Sequence, residues 1–254
     1  MLKTLFPKYL AGRKSLKMAS NLAEGMPESD VAELMPCLFP RLGSDNQAQK
    51  RLMFIKVNVE KESRLQELAE DGGDALGCIL RVAWAILLNC YSGCEDVCFG
   101  YHEVSAWGEN DNMLSMRHVR LGLGEDTTIE QLVQCAKGGQ VEKHGDHHGT
   151  LPFGAVKAEL FNTELEIRRQ PHRVTSDIAP LPPNTMLRDN CRLRGLAKVT
   201  DTSVNVFLEW WSSDMTAAQA AGVASTFDKA LDYTLTRSEK RSSSPIVRSE
   251  RVKV

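Results

Sequence analysis

The feature that most constrains this chain is a helix with no polar side. After Asp74, the residues Leu76, Ile79, Leu80, Val82, Ala83, Trp84, Ile86, Leu87 and Leu88 are spaced so that they cover almost every face of a helix. A helix of that kind has to be buried on most sides. The chain is long enough to do so, with 254 residues of which 42% are hydrophobic. Arg81 interrupts the run, and residues 75–89 fall short of the ~20 apolar positions that cross a bilayer. The run therefore predicts a core helix, and no membrane partner is expected. Asp74 is placed to cap its start, and Gly93 supplies a left-handed stop.

Around this helix the pattern alternates between period two and period 3.6. Met53, Ile55, Val57 and Val59 alternate with polar neighbours apart from Phe54, and predict a strand. Residues 62–71 predict a short helix ended by Gly72-Gly73. Val97, Phe99 and Tyr101 make a short strand, and residues 113–121 another. Thr127 and Glu130 have capping-box spacing before Ile129, Leu132, Val133 and Ala136. Residues 152–160 read as a short helix, and Phe161, Thr163, Leu165 and Ile167, which alternate with polar residues, as a strand. Strands near 192–199 and 203–210 follow a proline-rich linker, and Asp214 opens a last helix with Val223, Phe227, Ala230 and Leu231 on one face. Trp210-Trp211 places one indole on each side of its strand, one of them in the core. The fold class expected is α/β, an α+β sandwich with helices packed on a mixed sheet. Residues 1–35 read as an irregular N-terminal segment, 36–236 as the folded unit and 237–254 as a disordered basic tail.

Formal net charge is −2, so the chain as a whole has no electrostatic footprint for nucleic acid. Lys3, Lys8, Arg13, Lys14 and Lys17, with no acid before Glu24, fit a mitochondrial transit peptide. The simpler reading is a basic start to a cytoplasmic chain. The seven cysteines are not laid out as a secreted disulfide framework, which favours a reducing compartment.

Cys90, Cys94 and Cys98 fall four apart, and pose the question of a metal or cluster site. A structural zinc site takes four ligands, usually in closely spaced pairs, and the spacing does not match ferredoxin-type runs. Cys90 ends the buried helix, Cys94 lies in the turn after Gly93, and Cys98 alternates with Val97 and Phe99 in a strand. The three sulfurs need not converge, and they read as small buried hydrophobes. His144, Asp146 and His148 have metal-ligating chemistry, but their glycine-flanked loop offers no rigid frame. No native metal site is expected.

Taken in order, these stretches resemble the condensation domains of nonribosomal peptide synthetases, the fungal type in particular. The likeness is carried by residues 80–88 with Tyr91-Ser92-Gly93, by Asp96-Val97-Cys98-Phe99-Gly100, and by Cys37-Leu38-Phe39-Pro40. It continues through Gly108, Asn112 and Arg117, spaced as in Gly-x-Phe-x-Asn-x-x-x-x-Arg, and through Leu160-Phe161-Asn162-Thr163. The resemblance covers about residues 36–236 and implies the C-terminal lobe of a two-lobed, chloramphenicol acetyltransferase-like fold with a tunnel between lobes. It makes Phe99, Gly100, Gly108, Asn112, Arg117 and Asn162 family-motif positions, structural or tunnel-lining.

The family reaction forms an amide between acyl and amino groups tethered to carrier domains by phosphopantetheine; no cofactor of the chain's own is implied. The partners implied are peptidyl or aryl carrier domains, or a synthetase chain. The family's H-H-x-x-x-D-G motif is absent. The paired His147-His148 is followed by Gly-Thr-Leu, then Pro152 and Phe153 where Asp and Gly should stand, and it lies in the wrong half. No catalytic residue is assigned. Asn110 replaces the motif's Phe, residues 102–107 replace a longer loop, and 199–203 reduce a further segment. The reading is a truncated, degenerate lobe of a secondary-metabolite synthetase, inactive alone and exposing apolar surface that favours self-association. Two others stay open: half of a split acyltransferase completed by a partner chain, and a docking module without chemistry.

Overall fold

The computed structural model describes residues 36–43, 50–71, 74–105, 117–124, 126–137, 161–169, 187 and 189–239, with the backbone alone at 105, 117, 118 and 239. The helix without a polar side, α2 (Ala75–Ser92), is buried from Leu76 through Leu88, Arg81 included. Before it come β1 (Leu52–Lys56) and α1 (Glu62–Glu70). After it come β2 (Asp96–Ser105), β3 (Arg117–Gly122), α3 (Ile129–Lys137), β4 (Thr163–Arg169), β5 (Leu193–Val199), β6 (Val204–Trp211) and α4 (Ala217–Glu239). The mixed sheet and packed helices expected from the periodicity are present.

The strands form one sheet in the order β1-β6-β5-β4-β2-β3. Its centre is parallel (β2 with β4, β4 with β5), and its flanks are antiparallel. β2 is longer than the short strand expected because it serves two partners. Residues 96–101 pair with β3, and 100–105 with β4.

Paired residues share a face, so the register sorts the sheet. One row runs Tyr101–Leu165–Gly195–Leu208–Ile55 and meets the helices. Trp84 of α2 lies on it, with a tilted edge contact to Phe227 of α4 at 5.8 Å between ring centroids. A Cβ at Gly195 would stand 2.8 Å from Trp84 Cζ3 and 3.1 Å from Leu165 Cδ1. The indole therefore rests on bare backbone, and glycine is required by contact. α3 packs on α2 and α4, and α1 on α2. The buried face of α4 is Val223, Phe227, Ala230 and Leu231, as its spacing predicts.

Arg81 is the exception inside this helix. Its Nε donates to Gly77 O (3.2 Å), its Nη2 pairs with Asp74, and its guanidinium lies 4.8 Å from the Tyr101 ring centroid. Burial favours losing the charge, but Tyr101, Asp74 and Cys78 outweigh it and hold the pKa above the ordinary value. Burying one paired cation costs several kcal/mol. Each leucine or isoleucine buried beside it returns ~1.5–3 kcal/mol, so the helix goes in whole.

The ends of the helices correct several expectations. Asp74 occupies the N-cap position of α2 without making a cap bond, because its carboxylate is drawn to Arg81 and Cys78. Gly93 stops α2 as expected, at φ 72°, its N–H donating to Asn89 O (2.8 Å). The capping box of α3 is Thr128 with Gln131, one residue on from the pair expected: Thr128 N donates to Gln131 Oε1 (2.8 Å) and Gln131 N to Thr128 Oγ1 (3.2 Å). The last helix starts from a box at Thr216 and Gln219, not from Asp214. Asp214 instead accepts Leu42 N and Gly43 N on its carbonyl and Arg41 Nε on its carboxylate. α1 ends at Asp71, whose N–H donates to Glu67 O; Gly72-Gly73 and residues 152–160 lie outside the described residues.

Gly195→Ala is expected to lower stability by about 1–3 kcal/mol through overpacking against Trp84. Urea unfolding followed by tryptophan fluorescence measures it. An unchanged midpoint would mean that the indole does not rest on the strand.

Candidate functional site

The second face of the sheet carries polar chemistry. Its rows are Gly100–Glu164–Arg194–Glu209–Phe54 and His102–Glu166–Leu196–Phe207–Lys56, as the register dictates. A polar alternate face normally meets water. Here Glu166 is fully buried, and Arg194, Glu164 and His102 are each under a tenth exposed. Glu164 and Glu166 of β4 are therefore buried, although they alternate with the core residues of the strand.

Burial forces these charges to pair. Glu166 is the hub: Oε1 meets Arg168 Nε, while Oε2 lies 3.2 Å from His102 Nε2 and 3.4 Å from Arg194 Nη1. Arg194 Nε also donates to Glu209 Oε2 (2.7 Å). Burial alone would push the Glu166 pKa up, but His102 and Arg168 overcome it and bring it down to about 2. The contact between His102 Nε2 and Glu166 Oε2 lacks the alignment of a directed hydrogen bond. Both nitrogens are shut off from solvent. The cluster thus works as an ionic brace across β2, β4, β5 and β6, and Glu166 is too acidic and too fully engaged to accept a proton near neutrality.

The family-motif positions separate. Phe99 and Gly100 are buried neighbours on β2, Phe99 in the helix-side core and Gly100 in the charged row. Arg117 opens β3 opposite Tyr101, its backbone alone described. Gly108, Asn112, His144, Asp146, His147 and His148 lie outside the described residues. Asn162 acts as an extra peptide group: Phe39 N donates to its Oδ1 (2.7 Å), and its Nδ2 donates to Phe39 O (3.0 Å). Its own carbonyl accepts Arg192 N (2.8 Å), and Cys37 forms a parallel bridge with Phe161. The segment expected before the first strand is thereby tied to the start of β4. The Asn162 side chain thus joins two segments of backbone.

Sequence reasoning missed the brace. The available signal was Glu164, Glu166 and Arg168 on one parity of β4, facing Arg194 and Glu209 of opposite sign on the next strands. Among the described residues, no group of three or more His, Cys, Asp or Glu is placed to hold a metal ion. Cys98 is half-buried while Val97 and Phe99 are fully buried, as alternation predicts. Trp210 is the core indole, donating Nε1 to Met215 O (3.0 Å). The helix Ala75–Ser92 passes the length and apolarity test for a membrane span, but it is the buried core helix.

No family model matches the sequence. The geometry nonetheless has close counterparts. The epimerization domain from the third module of tyrocidine synthetase B superposes with a TM-score of 0.58 at 10% identity, over 83% of this chain and 54% of that one. The condensation domain from the Monacolin K polyketide synthase MokA gives 0.53 at 15%, over 82% and 55%. The fold is thus of the condensation-domain class. In sequence the chain is similar to Nonribosomal peptide synthetase nlsA of Emericella nidulans, 29% identical over 217 residues, or 81% of this chain. It spans only 4% of that synthetase and about half of each solved domain. The chain resembles a condensation-domain segment of a fungal nonribosomal peptide synthetase, as its motifs imply.

Glu166→Gln is expected to cost about 3–5 kcal/mol, because it removes the buried carboxylate on which half-buried Arg168 and buried Arg194 converge. The folded pKa of Glu166 lies below its unfolded value. Its contribution is therefore complete above about 4.5 and is lost as pH falls towards about 2. Stability curves between those limits should fall less steeply in the variant; equal slopes would show that Glu166 is not held ionised. Asn162→Ala, which strands the Phe39 N–H and leaves its C=O with Arg192 Nη1 alone (3.3 Å), is expected to cost about 1–3 kcal/mol by urea titration.

Proposed function

We propose that this chain is the C-terminal half of a condensation-type domain and forms no amide bond by itself. The observation that carries the reading is a pair of facts taken together. The fold spans 54–55% of solved domains of this class, while the one paired histidine in the sequence, His147-His148, is followed by Pro152 and Phe153 where H-H-x-x-x-D-G needs Asp and Gly. Condensation depends on holding two tethered substrates in attack geometry, worth several kcal/mol, and on a placed base, worth a further ~10²–10⁴-fold. One wall without the base supplies neither. The substrates would arrive on phosphopantetheine arms of carrier domains, as in the family the chain resembles. The seven free cysteines suit a reducing, cytoplasmic setting.

A second reading, that a separate chain supplies the other half, is favoured by the surface. Phe54 is 71% exposed, and Leu52 and Met53 beside it on edge strand β1 are exposed as well. Such an apolar edge is commonly covered. An amide-forming assay with two loaded carrier domains separates the readings. The isolated chain is expected to give no product above background. Product from the isolated chain would refute the proposal. Product only after addition of an H-H-x-x-x-D-G-bearing N-terminal half would establish the split enzyme. Saturable synthetase binding without turnover would establish a docking module.

A further inference from the structure

In the cysteine run that opened the metal question, one sulfur lies beside a cysteine far away in sequence. Cys94 Sγ lies 3.7 Å from the carbonyl oxygen of Pro36, the residue before Cys37. Ser92 Oγ accepts Cys94 N (3.1 Å) and lies 3.9 Å from Cys37 Sγ. Ser92 already donates its proton to Leu88 O (2.7 Å), so the Cys37 thiol is the donor to it. Both cysteines thus meet at the Ser92 hydroxyl, and the Cys94 sulfur reaches the residue next to Cys37. Cys37 is buried and Cys94 half-exposed. Its contact with Cys94, and then its burial, raise the Cys37 thiol well above its ordinary pKa. Cys94 is therefore the sulfur that meets an oxidant first.

We infer that Cys37 and Cys94 form an oxidisable dithiol that closes to a disulfide, stapling the segment 36–40 to the turn between α2 and β2. With glutathione disulfide as oxidant, the Cys94 sulfur attacks it, forming a mixed disulfide and releasing one glutathione thiol. The Cys37 sulfur then attacks the Cys94 sulfur, the second glutathione leaves as thiolate, and it takes up the proton that Cys37 gives up. Two protein thiols are oxidised and one glutathione disulfide is reduced to two thiols. The exposed Cys135 is the internal comparison: with no second cysteine beside it in the structure, it keeps its glutathione.

The test uses the full chain, reduced, desalted and exposed to glutathione disulfide, then digested without reductant and mapped by mass spectrometry. The expected result is a Cys37–Cys94 cross-linked peptide in most of the protein, with glutathione retained on Cys135. Closure of the loop should raise Tm by about 5–10 °C, reversibly with dithiothreitol. Cys94→Ser, at a half-exposed position, should keep the circular dichroism of the parent and lose both the peptide and the Tm response. A stable glutathione adduct on Cys94 with Cys37 free, a link from Cys94 to any other cysteine, or no reaction at either residue would overturn the inference.

Discussion

Trp84 resting against the backbone of Gly195 couples the two layers of this protein. An 18-residue helix with one charged side chain cannot be left at a surface, and it is covered on one side by α4 and α3 and on the other by the sheet. The sheet can come close because β5 has no side chain at the contact, and because its neighbours in that row, Leu165 and Leu208, frame the indole instead of pushing it away. Helix, strand order and register are then one solution: shifting β5 by one residue would put the side chain of Arg194 or Leu196 under Trp84.

The same register has a consequence on the opposite face. Once Leu165 and Ile167 point at the helices, Glu164, Glu166 and Arg168 must point the other way, and they are buried or nearly so. Desolvating a carboxylate costs several kcal/mol, and the cost is met only if its oxygens are fully used. Glu166 meets that condition through Arg168, Arg194 and His102. The brace stiffens the parallel centre of the sheet, where hydrogen bonds alone hold the strands less firmly.

How far this could be read from sequence follows from which forces are local. The core helix, its Gly93 stop and the strands at β5 and β6 were legible because periodicity and backbone chirality act within a few residues. The cap of α3 was displaced by one because Thr127–Glu130 and Thr128–Gln131 both satisfy the capping pattern. The Thr127 amide is already closing a turn on Gly124 O (3.1 Å), so the next threonine takes the helix. Asp74 was read as a cap because only its neighbours in sequence were visible, whereas Arg81 seven residues on decides where its carboxylate goes. The burial of Glu166, the clamp from Asn162 to Phe39 and the meeting of Cys37 with Cys94 join residues dozens apart. No local pattern announces any of them.

These non-local contacts also bear on chemistry. A side chain can bind or catalyse only with capacity left over from folding, and on this face the capacity is consumed. Both oxygens of Glu166 are engaged, Arg194 is shared between two carboxylates, and the nitrogens of His102 have no path to solvent. Asn162, a motif position, has its amide committed to Phe39 and its carbonyl to Arg192. Any proton transfer at this face has to come from groups that the brace does not already hold.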